Sequence, residues 1–265
     1  MTTTTGEAPS FTDVLTALRN SHDRLATAVS PLTSEQVGGP SYHDWTIAQV
    51  ASHLGSGAEV FGLFLAAGAA GTEAPGIEQF RPIWDRWNAK PAPQQVQDAV
   101  VTDAALLDQA SELAPAERES WQLDVFGTHQ DLPGLLRMRL SEHAMHTWDI
   151  VVALDPAATV ADDAIELIVG NLAPLAARAG KGSPEPVTVH VITSGPEREF
   201  LLELTPDGVK LTPAPGPGHA TATLRLPAEA FVRLLYGRLD PAHTPGSVEA
   251  ENVELDTLRR SFPGF

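Results

Sequence analysis

Apolar residues recur every three or four positions through most of the first 155 residues, and every second position in short runs after residue 186. A helical half followed by a strand-rich half is therefore expected. Phe11, Val14, Leu15, Leu18, Leu25 and Val29 form a first amphipathic stripe that ends before Pro31. A second helix begins at Thr46, carries Ile47, Val50, Ala51, Leu54, Phe61, Phe64 and Leu65, and closes in the Gly/Ala-rich stretch Gly68 to Gly71. Pro75, Pro82 and Pro91 mark the next segment as a loop. The third helix is expected from Gln94 to Leu113, with Val96, Val100, Leu106, Leu107 and Ala110 placed to bury and Pro115 as its stop. Pro133 lies near the first turn of a fourth, Leu135 to Leu154. Four long helices with two extended connections fit a bundle.

The tail reads differently. A helical connector over Asp162 to Arg178 leads to Val187–Ile192 and Glu199–Leu204, which alternate at period two around Ser194-Gly195-Pro196 and read as a hairpin. Further strands are expected at Val209–Leu211 and Ala220–Leu226. Pro227 starts a helix carrying Phe231, Leu234 and Leu235, and a last short helix holds Val253, Leu255 and Leu258. The fold class is α+β in two domains, residues 1–158 and 159–265.

Composition narrows the chemistry. The 265 residues contain no cysteine, which removes disulfide scaffolds, thiolate nucleophiles, iron–sulfur clusters and cysteine-based zinc sites. Any metal must be held by His, Asp and Glu. The formal charge of −17 opposes binding to polyanionic nucleic acid or anionic lipid surfaces. Met1 to Gly6 lacks the basic and apolar segments of a secretory signal, and no stretch holds 18 uninterrupted apolar residues, so a cytoplasmic protein is expected.

The segment Leu140-Ser-Glu-His-Ala-Met-His-Thr-Trp-Asp149 carries the most chemistry. Glu142, His146 and Asp149 are spaced four and then three apart, so they project from one face of a helix. Leu135, Met138, Met145 and Val152 on or beside that face suggest that it points inward. A glutamate buried alone is costly, and a divalent metal would relieve that cost. His53, among Val50, Leu54 and Ser56 on the second helix, is the available third ligand and is expected to face the interior. His53, Glu142 and His146 would then make a two-histidine, one-carboxylate site with an open position. Glu–His pairs at this spacing also occur on solvated helices, and a lone histidine in an apolar stretch is often a hydrogen-bonded core residue. His143 points about 100° away and has the weaker claim. Asp149 can be an acceptor for the free N–H of a ligand histidine, a fourth ligand or an ordinary hydrogen-bond partner; the first is favoured. Trp45, Trp84, Trp87 and Trp148 are core or pocket wall, and an indole N–H could fix a carboxylate.

His43-Asp-Trp-Thr-Ile-Ala-Gln-Val-Ala-Ser-His-Leu54, followed by Glu142-His-Ala-Met-His-Thr-Trp-Asp149, resembles the DinB-like, mycothiol-dependent maleylpyruvate isomerase family. Leu234-Leu-Tyr-Gly-Arg-Leu-Asp-Pro241 and Leu255-Asp-Thr-Leu-Arg-Arg-Ser-Phe-Pro-Gly-Phe265 are similar to its C-terminal, sterol-carrier-like domain. The resemblance covers nearly the whole chain. It implies a four-helix bundle holding a divalent metal, usually zinc, at positions matching His53, Glu142 and His146. It also implies mycothiol, a low-molecular-weight thiol of actinobacteria, as catalyst of a cis–trans isomerisation or as nucleophile in S-transfer to a small-molecule electrophile. Coordination would ionise a thiol whose free pKa is about 8.5. A basic residue from the C-terminal domain is implied near the reaction, with Arg238 the first candidate catalytic residue and Arg225 the second. Either could instead solvate the tail's surface. A monomer or small homo-oligomer is expected, and the competing class is a non-catalytic small-ligand-binding protein with a structural or absent metal.

Overall fold

The computed structural model describes residues 9–264. The segment Met1 to Gly6, on which the expectation about a secretory signal rests, lies outside them, as does Phe265. The chain divides into two compact units between Ala158 and Thr159.

In the first unit the helices are α1 (Phe11–Val29), α2 (Ser34–Val37), α3 (Ile47–Ala70), α4 (Ile77–Asn88), α5 (Ala92–Glu112) and α6 (Pro115–Ser120). The strands β1 (Gln122–Val125) and β2 (Thr128–Asp131) form an antiparallel hairpin before α7 (Leu132–Leu154). Local chemistry sets these boundaries. Ser10 with Asp13 and Thr46 with Gln49 make capping boxes that start α1 and α3. Gly71, at φ 63°, takes the left-handed conformation that ends α3. Asp131 accepts the Gly134 N–H at 2.8 Å to start α7, with Pro133 in its first turn. The core lies where α3 packs on α5, α4 and α7, and where α1 packs on α7 and α5.

One expectation is corrected here. Pro82 does not sit in a loop; it lies inside α4. Proline there forfeits one helical hydrogen bond and costs about 3 kcal/mol. Phe80, Ile83 and Trp87, spaced three and four apart, are buried on the same helix. At about 1.5–3 kcal/mol per large apolar side chain, their burial outweighs the proline. The four expected long helices are α1, α3, α5 and α7, and α4 adds a twelve-residue helix beside them. Pro115 not only follows the end of α5 but opens α6.

Helix α3 is long and apolar enough to cross a membrane by length and composition, with mean hydropathy 1.3 over its window. Most of its apolar side chains are nonetheless buried against the other helices, and Glu59 accepts the Trp87 indole N–H at 2.7 Å. Gly55 lets α3 approach α4, because a β-carbon there would lie far inside contact distance of the Trp87 ring. Gly55→Ala is expected to destabilise the protein by about 1–3 kcal/mol through overpacking, seen as a lower urea midpoint with an unchanged m-value.

The second unit contains α8 (Asp162–Ile168), α9 (Ala173–Ala179), β3 (Val187–Ser194), β4 (Arg198–Thr205), β5 (Gly208–Pro213), β6 (Ala222–Pro227), α10 (Ala228–Leu235), β7 (Glu249–Glu251) and α11 (Leu255–Ser261). The sheet order is β5-β4-β3-β6-β7, with β3 and β6 parallel and the other neighbours antiparallel. Register places Val189 beside Leu202 and Ala222, and Val191 beside Phe200 and Leu224, so the middle of one face is apolar. Phe231 of α10 covers it, with ring centroids 5.5 Å from Phe200. This is the expected α+β architecture.

Candidate metal centre

Helix α3 carries His53 in its second turn, and α7 carries Glu142, His146 and Asp149 across two turns. Where the helices meet, Glu142 Oε2 lies 3.6 Å from His53 Nε2 and 3.6 Å from His146 Nε2. One ligand atom from each residue lies within 4.8 Å of the others. At 3.6 Å neither imidazole is within good hydrogen-bonding distance of the carboxylate. Two tetrahedral ligands, each about 2.0–2.1 Å from zinc, sit about 3.4 Å apart, so the observed spacing suits donors arranged around an ion.

The set is also oriented for this. His146 Nδ1 is 2.8 Å from Asp149 Oδ2, and a carboxylate can only accept, so Nδ1 carries the proton and Nε2 turns its lone pair toward Glu142. Trp45 stands over the donors, nearly parallel to His146 (9°, centroids 6.2 Å) and 5.6 Å from His53, and remains 43% exposed. Its loop closes on itself through the Ser41 N–H to Trp45 O (2.8 Å) and is fastened to α7 by Ser41 Oγ and Tyr42 N donating to Asp149 O. The donors are not sealed: His53 and Glu142 side chains are 41% and 32% exposed, and His146 13%. His53 therefore lies at the rim rather than facing the interior as expected, which leaves access for a small ligand.

Charge is matched within the group. Removal from water would raise the Glu142 carboxyl, but the His146 and His53 imidazoles overcome this and hold it well below the usual carboxylate range. Burial lowers His53, although Glu142 opposes the shift. Burial also acts to lower His146, yet Asp149 and Glu142 win and raise it.

The sequence matches two domain descriptions: the mycothiol maleylpyruvate isomerase N-terminal domain over residues 18–151 and the MDMPI C-terminal domain over residues 155–257. The chain belongs to the mycothiol maleylpyruvate isomerase family. No curated protein sequence matches it closely enough to count as a relative. Two solved structures share the fold of this family member: a mycothiol-dependent maleylpyruvate isomerase and a histidine-to-alanine mutant of that protein. Each has a TM-score of 0.66 and 16% identity, covering 93% of this chain and 95% of its own.

The other sequence candidates lie elsewhere in this family member. His143, next to Glu142 in sequence, is fully buried on a different face of α7. Its Nδ1 is 2.8 Å from Ser21 Oγ and its Nε2 3.1 Å from Asp103 Oδ2, so it serves the core. Arg238 is mostly buried in the second unit, where Nη1 donates to Tyr236 O at 2.8 Å and the guanidinium lies 5.8 Å from the Tyr236 ring. Arg225 is exposed on β6. Of the four tryptophans considered, Trp87 and Trp148 are core, whereas Trp45 and Trp84 are partly exposed.

Sequence reasoning missed Asp103 and Arg139, each 1% exposed and joined at 2.7 Å. A signal was present, because Asp103 occupies the same helical stripe as Val96, Ala99, Leu106 and Ala110. Burial would raise its carboxyl, but His143, Arg139 and His22 together hold it well below the usual range.

Proposed function

We propose that the protein is a metal-dependent, mycothiol-dependent enzyme that activates a thiol for addition to a small electrophile, either in maleylpyruvate-type cis–trans isomerisation or in S-transfer. The observation that carries this reading is the trio of His53, Glu142 and His146, oriented on one point yet still open to a guest. Membership of the family supports the thiol and the small substrate.

His53, Glu142 and His146 would hold the ion, and the two-nitrogen, one-oxygen donor set suits zinc. A bound divalent ion would supply Lewis acidity that favours the thiolate form of a coordinating thiol. Asp149 keeps His146 in the tautomer that offers Nε2. Trp45 supplies an apolar wall beside His53 and His146 and would limit water around a thiol bound there. The nucleophilic sulfur must come from the cosubstrate, since the chain has no cysteine. Arg238 remains the candidate catalytic residue that the resemblance implies.

Titrating mycothiol into the cobalt-substituted protein tests this reading. An intense near-ultraviolet sulfur-to-cobalt charge-transfer band is expected, saturating at one thiol per ion. Absence of the band in a cobalt-loaded protein would favour a closed structural metal and a non-catalytic binding role. Product analysis with maleylpyruvate and other electrophiles then separates isomerisation from S-transfer: a trans isomer with thiol regenerated marks the first, a retained thioether the second.

A further inference from the structure

Charged groups in a helical core need an explanation, and the pair Asp103 and Arg139 lies directly behind the donors. Arg139 sits on α7 one turn before Glu142. Its Nη2 donates to Asp103 Oδ1 of α5 at 2.7 Å and to the backbone oxygen of Leu54 at 2.9 Å. Leu54 immediately follows His53 on α3. Asp103 Oδ2 in turn lies 3.0 Å from His22 Nδ1 of α1 and 3.1 Å from His143 Nε2. Gly57 leaves room for this arrangement, because a β-carbon there would meet Arg139 Nη1 at 2.9 Å.

Stability alone is a poor reason for this pair. Two charges removed from water lose several kcal/mol of hydration each, and apolar side chains of similar volume often serve the fold as well or better. Arg139 Nε, moreover, has no hydrogen-bond acceptor among the described residues, a further cost. What the pair supplies that leucine or methionine cannot is direction. A guanidinium that bonds a carboxylate and a backbone carbonyl fixes how α3 and α7 sit along and around their axes. Apolar contacts tolerate sliding, whereas a site of three donors does not.

We propose that Asp103 and Arg139 are positioning residues: a buried clamp that sets the spacing between His53 and the Glu142–His146 pair and thereby the metal affinity of the centre. This rests on the reading of those three residues as metal ligands. The clamp touches neither ion nor substrate and acts through the backbone that carries the donors.

The test is the double variant Asp103→Leu/Arg139→Met, which removes both charges while conserving apolar volume. Cobalt affinity is measured by competition with a chromophoric chelator, the cobalt d–d spectrum reports donor geometry, and thermal melting of the metal-free protein is followed separately. The expected result is a folded protein whose melting midpoint falls, because His22 and His143 lose Asp103 as a partner, with cobalt affinity lower by about 10–100-fold and an altered d–d envelope. Unchanged affinity and spectrum in the folded variant would overturn the clamp. If the double variant does not fold, Arg139→Lys is measured in the same way. It keeps a charge for Asp103, but its shorter, flexible stem does not hold a nitrogen at the Nη2 position from which both bonds are made, so weakened cobalt binding supports the proposal and native binding overturns it. His53→Ala separates the two readings. If the native protein binds cobalt, His53→Ala loses it and the double variant retains it, only the clamp fails; if the native protein binds none, the metal centre itself fails.

Discussion

His53→Ala and His146→Ala are each expected to lower metal affinity by roughly 10²–10³-fold, whereas His143→Ala leaves one ion per chain. Apparent zinc binding by four-donor sites is worth about 10–16 kcal/mol, so one donor accounts for about 2.5–4 kcal/mol, which is that range of affinity. His143 faces Ser21 and Asp103 instead, and its removal leaves the Arg139 bonds to Asp103 and Leu54 in place. Its loss should appear in the denaturation midpoint, at about 1–3 kcal/mol, because buried partners are left unsatisfied. Asp149→Asn should fall between, weakening metal by about 10–100-fold, since the amide can still hold the ring but no longer carries the charge that supports the imidazole. Metal analysis after dialysis against a graded chelator series checks all four variants. Equal losses in the three histidine variants would mean that the donors lie on another face of α7.

Metal affinity should also decline with acid, and the shifts give that decline a shape. A protonated imidazole cannot bind an ion. His146 is raised above its ordinary 6.5 in the metal-free protein, so proton competition there begins above pH 6.5 as the pH falls. His53 is lowered and stays neutral to lower pH, and Glu142 remains ionised throughout this window. The logarithm of the affinity should therefore first fall by one unit per pH unit, steepening toward two only when His53 begins to protonate. Cobalt titrations at half-unit pH intervals measure this slope. A slope of two from the outset would show that the imidazoles titrate together, and a flat profile to pH 5 would exclude histidine ligation.

Glu142 and His146 are legible because helical periodicity alone places residues four apart on one face, and His53 because its stretch has few other polar groups. The expectation about the interior is less accurate, for a reason rooted in α7. This helix buries much of its circumference against α1 and α3, so Leu135 and Met145 mark core without identifying which neighbouring polar residue shares it. His143 goes in fully, while Glu142 stays at the rim. Pro82 misleads because its local penalty is visible in the sequence, whereas the burial of Phe80, Ile83 and Trp87 that exceeds it is not. The hairpin β1–β2 and the strand β7 are not visible because they are three or four residues long and mostly polar, too short for period two to stand out. Asp103 and Arg139 resemble ordinary surface charges until the partner helices are in place.

All the donors, the aspartate that steadies one of them and the four helices tied behind them come from residues before Asp155. If those donors hold an ion as proposed, such an assembly is portable: a lineage can exchange or reshape everything downstream and so change which molecules are processed, without having to reinvent the grip.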